Sequence, residues 1–177
     1  ALQAYALLAL PWQAEQIISA LLSTHVAGRL DRRQLQWHGK TLTLLLDVGH
    51  NPHAAEYLAQ RLASRPPAGR RLAIFGLLMD KDLLGVLQPL MAEVQGWTVA
   101  SLPTPRTRPV LELQAALLNL GVQAQAYPDV GAALNAQCEQ AADGDEILVF
   151  GSFYCVAEAL DWLALRTQEE ANNGFAG

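Results

Sequence analysis

The chain has 177 residues, 51% of them hydrophobic, with 12 basic side chains against 17 acidic ones and a formal net charge of −5. That length can bury a full core in one compact domain, and mild acidity argues against a general binder of nucleic-acid backbones, which carries a basic surplus on one face. The apolar stretches reach about half a membrane span, no basic region precedes the first of them, and Cys138 and Cys155 make neither a disulfide framework nor a zinc quartet. The expectation is a cytoplasmic globular chain that engages neither nucleic acid nor membrane. It begins with Ala inside a helical pattern and reads as a piece of a longer polypeptide.

Residues 2–10 carry a short apolar helical run that stops near Pro11. Trp12, Ile17, Ile18, Leu21 and Leu22 then recur at helical spacing, and Gly28 breaks the pattern. "QLQWH" (34–38) alternates as a half-exposed strand, "GK" turns the chain, and "TLTLLLD" (41–47) completes a hairpin. The continuous apolar run of that second arm predicts burial on both faces. A helix is expected over 53–64, ended by the Pro66-Pro67-Ala68-Gly69 breaker, then a strand over 70–76, a helix through about Met91 and a strand over 97–100. The Pro-rich loop 101–109 leads to a helix over 110–120 with Gly121 as its C-cap. A strand over 122–127, a helix over 130–142, a strand over 146–150 and a helix over 153–167 complete the series, with residues 169–177 expected to fray. Both cysteines fall in predicted helices, where a free thiol is ordinarily buried. Such alternation predicts an α/β fold, a Rossmann-like, mostly parallel six-stranded sheet with one antiparallel edge strand and helices on both faces.

In such sheets ligands bind beyond the carboxyl ends of the strands. That rule selects "DVGHNPH" (47–53), "GLLMDKD" (76–82), "SLPTPRTRP" (101–109) and "GSFYC" (151–155), which should converge on one edge. "GKT" (39–41) looks like the end of a phosphate loop, but Gln34 stands where that loop needs a glycine, and a strand follows where a helix should. In His50-Asn51-Pro52-His53 the plain role is helix capping, with Asn51 as the cap and Pro52 at the first helical position. Metal ligation by His50, His53 and Asp47 is the alternative, and it lacks further ligands at the right spacing. Capping leaves Asp47 and His50 unexplained, and a helix opening at a strand end is a natural place for a phosphate or carboxylate. Ser152 fits a cap, a ligand contact, or both, whereas "GSFYC" lacks the second glycine of a nucleophile elbow. In "MDKD", Lys81 either faces an anion, oriented by Asp80 or Asp82, or belongs to a solvated loop. Arg106 and Arg108 read as surface charges rather than an anion clamp.

Taken together, Gly28-Arg29, "LLLDVGHNPHAAEYL" (44–58), "FGLLMDKD" (75–82) and "VFGSFYCVAEAL" (149–160) form a recognisable set. In order and spacing over about residues 26–166, they resemble the carboxyl-terminal domain of bacterial folylpolyglutamate synthase/dihydrofolate synthase, of the Mur ligase superfamily. The Asp-x-x-His-Asn-Pro-His-Ala stretch is the most specific of the blocks. The resemblance implies an ATP-dependent amide ligase that uses ATP and Mg2+ to join L-glutamate to dihydropteroate or a reduced folate through an acyl phosphate. By position it implies that Asp47 holds the ATP ribose and Arg29 lies against the nucleotide. It implies catalytic roles for His50 and Ser152, and substrate or glutamate contacts from His50, Asn51, Lys81, Asp82 and Ser152.

The family's phosphate loop, magnesium ligands and carbamylated lysine belong to an amino-terminal domain, so no metal ligand is expected in this chain. Residues 1–25 resemble the last helices of that P-loop domain, 26–168 the carboxyl-terminal domain, and 169–177 a flexible tail. Alone, the chain is expected to be inactive, and domain closure around Gly28-Arg29 would complete the site. Ala27-Gly28-Arg29 stands where the family usually has Pro-Gly-Arg. Peptidoglycan-precursor ligases share the crevice but usually differ after the strand aspartate. A stand-alone nucleotide-binding or regulatory module and a pure scaffold are the readings from other classes.

Overall fold

In the computed structural model, which describes residues 28–174 and their side chains as far as residue 168, the chain opens with an antiparallel hairpin, β1 (Asp31–Trp37) and β2 (Lys40–Asp47). The helical runs expected over 2–10 and 12–22, and the domain remnant read over 1–25, lie outside those residues. β1 starts three positions earlier than its alternation suggests, because Asp31, Arg32 and Arg33 also pair with β2. As an outer strand β1 tolerates such charges, and they discourage further pairing at its open side. His38 (φ 46°) and Gly39 (φ 79°) make the turn between the paired residues Trp37 and Lys40, the double positive φ that a two-residue hairpin requires. Lys40 therefore belongs to β2, not to the turn. Its Nζ donates to the carbonyls of Cys138, Glu139 and Ala141 at 2.9–3.1 Å, so the lysine of "GKT" closes a helix C-terminus.

The remaining elements are α1 (Pro52–Ala63), β3 (Arg71–Phe75), α2 (Leu83–Leu87), a 3₁₀ turn (Gln88–Leu90), β4 (Gly96–Ala100), α3 (Val110–Asn119), β5 (Ala124–Tyr127), α4 (Val130–Gln140), β6 (Glu146–Phe150) and α5 (Phe153–Gly174). The sheet order is β1-β2-β6-β3-β4-β5, parallel throughout except for the first pair. Alternation divides the core in two. Leu44, Leu46, Ile74, Ile147 and Val149 pack under α4 and α5 with Leu134, Cys138, Cys155, Ala159 and Trp162. Leu45, Ala73, Phe75, Leu148 and Phe150 pack under α1, α2 and α3 with Leu58, Leu62, Val86, Leu113 and Leu117. Burial on both faces explains the unbroken apolar runs of β2, β3 and β6.

Three boundaries move, two of them for identifiable reasons. The helix expected through Met91 stops at Leu87 and tightens into a 3₁₀ turn, because Pro89 has no N–H to continue the ladder. Gly121 (φ 86°) does cap α3, but Val122 N–H is taken by the carbonyl of Leu117 and Gly121 N–H by that of Leu118. This double closure delays β5 to Ala124. α5 continues beyond residue 167 to Gly174. The last strand, β6, lies between β2 and β3, so the loops after these three strands sit side by side at one end of the sheet.

Candidate functional site

β3 and β6 are each followed by a glycine for a packing reason. Gly151 has φ 103°, and a Cβ there would strike the Gly76 carbonyl oxygen and the Phe75 ring. A Cβ on Gly76 would meet Leu102 Cδ2 at 2.7 Å and the Ala100 carbonyl at 3.0 Å. Only bare backbone lets the ends of β3, β4 and β6 come this close. Beyond them lies a cleft of about 210 Å³ lined by His50, Leu78, Lys81, Arg106, Gly151, Ser152, Phe153 and Tyr154. Each of the four stretches selected by the strand-end rule contributes a side chain.

The turn after β2 fixes the histidine. Asp47 Oδ1 accepts from Gly49 N–H at 2.7 Å, and a Cβ on Gly49 would sit 2.8 Å from that oxygen. His50 Nδ1 lies 2.8 Å from the Val48 carbonyl. A carbonyl only accepts, so Nδ1 carries the proton and Nε2 keeps a lone pair in the neutral ring. The ring packs against Phe153, with centroids 5.9 Å apart. Ser152, 3% exposed, starts α5 with its Oγ accepting from Tyr154 N–H at 3.2 Å, which leaves the hydroxyl hydrogen for another acceptor.

On the other side, two loops are stitched into one platform. Leu78 and Thr107 form an antiparallel bridge, Met79 N–H donates to the Arg106 carbonyl, and Arg108 N–H to that of Leu77. Arg108 Nη2 also donates to the carbonyls of Met79 and Lys81 at 2.7 and 2.8 Å. Asp80 bridges Lys81 (3.1 Å) and Arg106 (2.9 Å). Its hydrogen bonds to those two cations hold its carboxyl down at about 2.

A sequence model of the Mur ligase, glutamate ligase domain matches residues 28–153. The chain belongs to this family. The Mur ligase domain is 39% identical over 123 residues to the dihydrofolate synthase/folylpolyglutamate synthase of Escherichia coli K12, covering 70% of this chain and 28% of that protein. The corresponding Haemophilus influenzae enzyme is 37% identical over 121 residues, covering 66% and 28%. Among solved structures, E. coli FolC with ADP superposes with TM-score 0.77 and 33% identity, covering 90% of this chain and 36% of that one. The Yersinia pestis enzyme with AMPPNP and Mn gives TM-score 0.74 and 35% identity, covering 88% and 35%. The chain thus spans little more than a quarter of the length of the curated relatives it matches.

The other residues singled out from the sequence have distinct places in the Mur ligase domain. Asp47 Oδ2 accepts from Leu30 N–H at 3.0 Å, and Val48 N–H donates to the Gly28 carbonyl at 2.7 Å. Burial pushes the Asp47 carboxyl above its ordinary range, while the N–H groups of Gly49 and Leu30 and the Arg29 guanidinium pull it back. Gly28 is buried with φ 75°, and a Cβ on it would meet Val156 Cγ1 at 2.8 Å. Residues 28–30 thus pack against this domain. Arg29 is exposed. Asn51 Oδ1 accepts from Ala54 N–H at 2.9 Å and Asp82 Oδ1 from Gly85 N–H at 3.0 Å. Both are helix caps outside the cleft lining. His53 is exposed on α1, and no three His, Cys, Asp or Glu side chains gather as a metal site among the described residues. The residue that sequence reasoning undervalued is Arg106. The strand-end rule had selected its loop, but nothing local distinguishes a cleft arginine from a surface one.

Proposed function

We propose that this domain forms one wall of an ATP-dependent amide ligase that adds L-glutamate to dihydropteroate, to reduced folates, or to both. The observation that carries this reading is the Nδ1 bond of His50, which leaves Nε2 available in a cleft shared with Lys81 and Ser152. Relatives solved with ADP, with AMPPNP and Mn, and with L-glutamate support a nucleotide, a divalent metal and glutamate as partners. Mg2+ as the metal, and an amino-terminal P-loop domain whose last helices are residues 1–25, are the finer parts of the proposal. The metal ligands are assigned to that P-loop domain, as the family resemblance implies. The cytoplasm, where ATP and folates are available, is the setting.

ATP supplies the activation: a substrate carboxylate takes its γ-phosphoryl group, ADP leaves, and the amino nitrogen of glutamate then displaces inorganic phosphate to form the amide. Asp47 and Arg29 fit the nucleotide, the first as an acceptor for ribose hydroxyls and the second as a cation beside it. Glutamate arrives as an ammonium ion and has no lone pair until it loses a proton. His50 Nε2 is the group placed to take that proton, and the Val48 carbonyl steadies the resulting imidazolium through Nδ1–H. Lys81 pairs with a carboxylate of glutamate. Ser152 donates its hydroxyl hydrogen to a carboxylate or phosphate oxygen, helped by the positive end of α5. Asn51 and Asp82 hold the helices that frame these groups.

The test uses the complete enzyme whose reading frame contains these 177 residues. Multiple-turnover production of ADP from ATP should require both L-glutamate and a pterin carboxylate acceptor. ATP binding without turnover under those conditions would instead favour a nucleotide-binding module, and no nucleotide binding a scaffold.

A further inference from the structure

The cleft contains a second cation that the ligation chemistry above does not use. Arg106 lines the same space as His50, Lys81 and Ser152, yet neither proton removal nor amide formation calls on it. Its side chain is 61% exposed against 29% for Lys81, so Arg106 stands toward the rim and Lys81 further in. Asp80 holds one end of its guanidinium at 2.9 Å, and the backbone beneath it is fixed by the Met79 N–H bond to its carbonyl. A long flexible side chain is thereby held in place while donors remain free on its other edges.

The amino acid substrate of the proposed reaction has two carboxylates on one short skeleton. The α-carboxylate shares its carbon with the reacting nitrogen and so lies near His50 Nε2, on the side of the less exposed Lys81. The side-chain carboxylate is two methylenes away and must lie nearer the rim. We propose that Arg106, positioned by Asp80, binds the side-chain carboxylate of the incoming amino acid and makes the site selective for glutamate over its uncharged amide, glutamine. This rests on the function proposed above. The chemistry suits the residue, because a guanidinium offers two parallel donors to a carboxylate. A carboxamide would bring an NH2 group against one of those donors and could accept from only one of the pair.

The experiment compares the complete enzyme with its Arg106→Ala and Arg106→Lys variants, measuring kcat and KM for L-glutamate and for L-glutamine. Arg106→Ala should raise the KM for glutamate about tenfold to a hundredfold, the range for a hydrogen-bonded charge, with kcat little changed. The KM for glutamine should move far less, so the preference for glutamate collapses. Arg106→Lys should recover part of the affinity for glutamate. Because the anchoring bond to Met79 uses backbone atoms, both variants keep the loop platform. Asp80→Asn should act in the same direction more weakly, as a positioning residue does. An unchanged glutamate KM in Arg106→Ala, or equal losses for glutamate and glutamine, would overturn the inference while leaving the ligase reading intact. A wild-type enzyme that does not use glutamate at all would overturn both.

Discussion

At the amino ends of β3 and β6, Arg71 and Glu146 are 2% and 0% exposed, and they answer each other at 2.6 Å. Arg32 reaches the second oxygen of Glu146 from the hairpin, and Arg71 also donates to the carbonyls of Leu62, Arg65 and Glu93. Beyond the carboxyl ends of β2, β3, β4 and β6, His50, Lys81, Arg106 and Ser152 each keep hydrogen-bonding capacity beyond their protein contacts. The amino end even has the larger cavity, about 330 Å³, bounded by Arg70, Gln95 and Gln137 among others. There, however, Arg70 is tied to Asp145, Gln95 to Arg71 N–H and Gln137 to Thr98. Cavity size alone would favour the amino end. Unused polar chemistry on converging strand ends favours the carboxyl end.

The largest effect should come from the amino end. Glu146→Ala leaves Arg71 buried without its partner and also releases the hairpin, at a cost of about 3–5 kcal/mol. A chemical denaturation curve reads this directly, and a loss under about 1 kcal/mol would mean that water or Glu93 takes over, against the buried geometry. A smaller change probes the site's frame. Asn51→Ala removes the α1 cap and should cost about 1 kcal/mol of stability, with glutamate kinetics disturbed only as far as the His50 turn loosens.

The smallest effect sharpens the comparison through pH. Asp145 is desolvated, but the N–H groups of Arg70 and Ala142 and the Arg70 guanidinium outweigh that and hold its carboxyl below the ordinary range. Its contribution is complete above about pH 3.9, the unfolded value, and is lost as pH falls through the folded value. Asp47 has the opposite sign. Its raised carboxyl keeps a proton in the folded state that the unfolded chain releases, so its contribution declines as pH rises from about 3.9 through the folded value. Unfolding midpoints measured across acid pH should therefore flatten in opposite senses for Asp145→Asn and Asp47→Asn.

Much of the architecture was legible because its causes are local. The unbroken apolar run of β2 marked it as buried on both faces, and Asn51-Pro52 and Gly121 marked helix ends that the backbone confirms. The position of β6 between β2 and β3 was not legible, since strand order depends on crossings that leave no local trace. Pro89 did mark a helix stop, but "LLGVLQPLM" carries enough apolar spacing to mask it. At the site, the strand-end rule located all four contributing loops. It did not show that Asp82 serves as a cap, that Asp47 grips Leu30, or that Arg106 turns into the cleft. Those depend on which loop lies beside which, and the bridge between Leu78 and Thr107 is a tertiary fact.

The most direct test of the central claim is the glutamate-dependent turnover of the complete enzyme carrying His50→Ala, beside the same enzyme carrying Arg70→Ala at the opposite end of the sheet. A proton acceptor at His50 Nε2 predicts that kcat falls about a hundredfold or more in the first and stays near wild type in the second. Undiminished turnover in His50→Ala, or a matching loss in Arg70→Ala, would contradict the assignment of the chemistry to the carboxyl-end cleft.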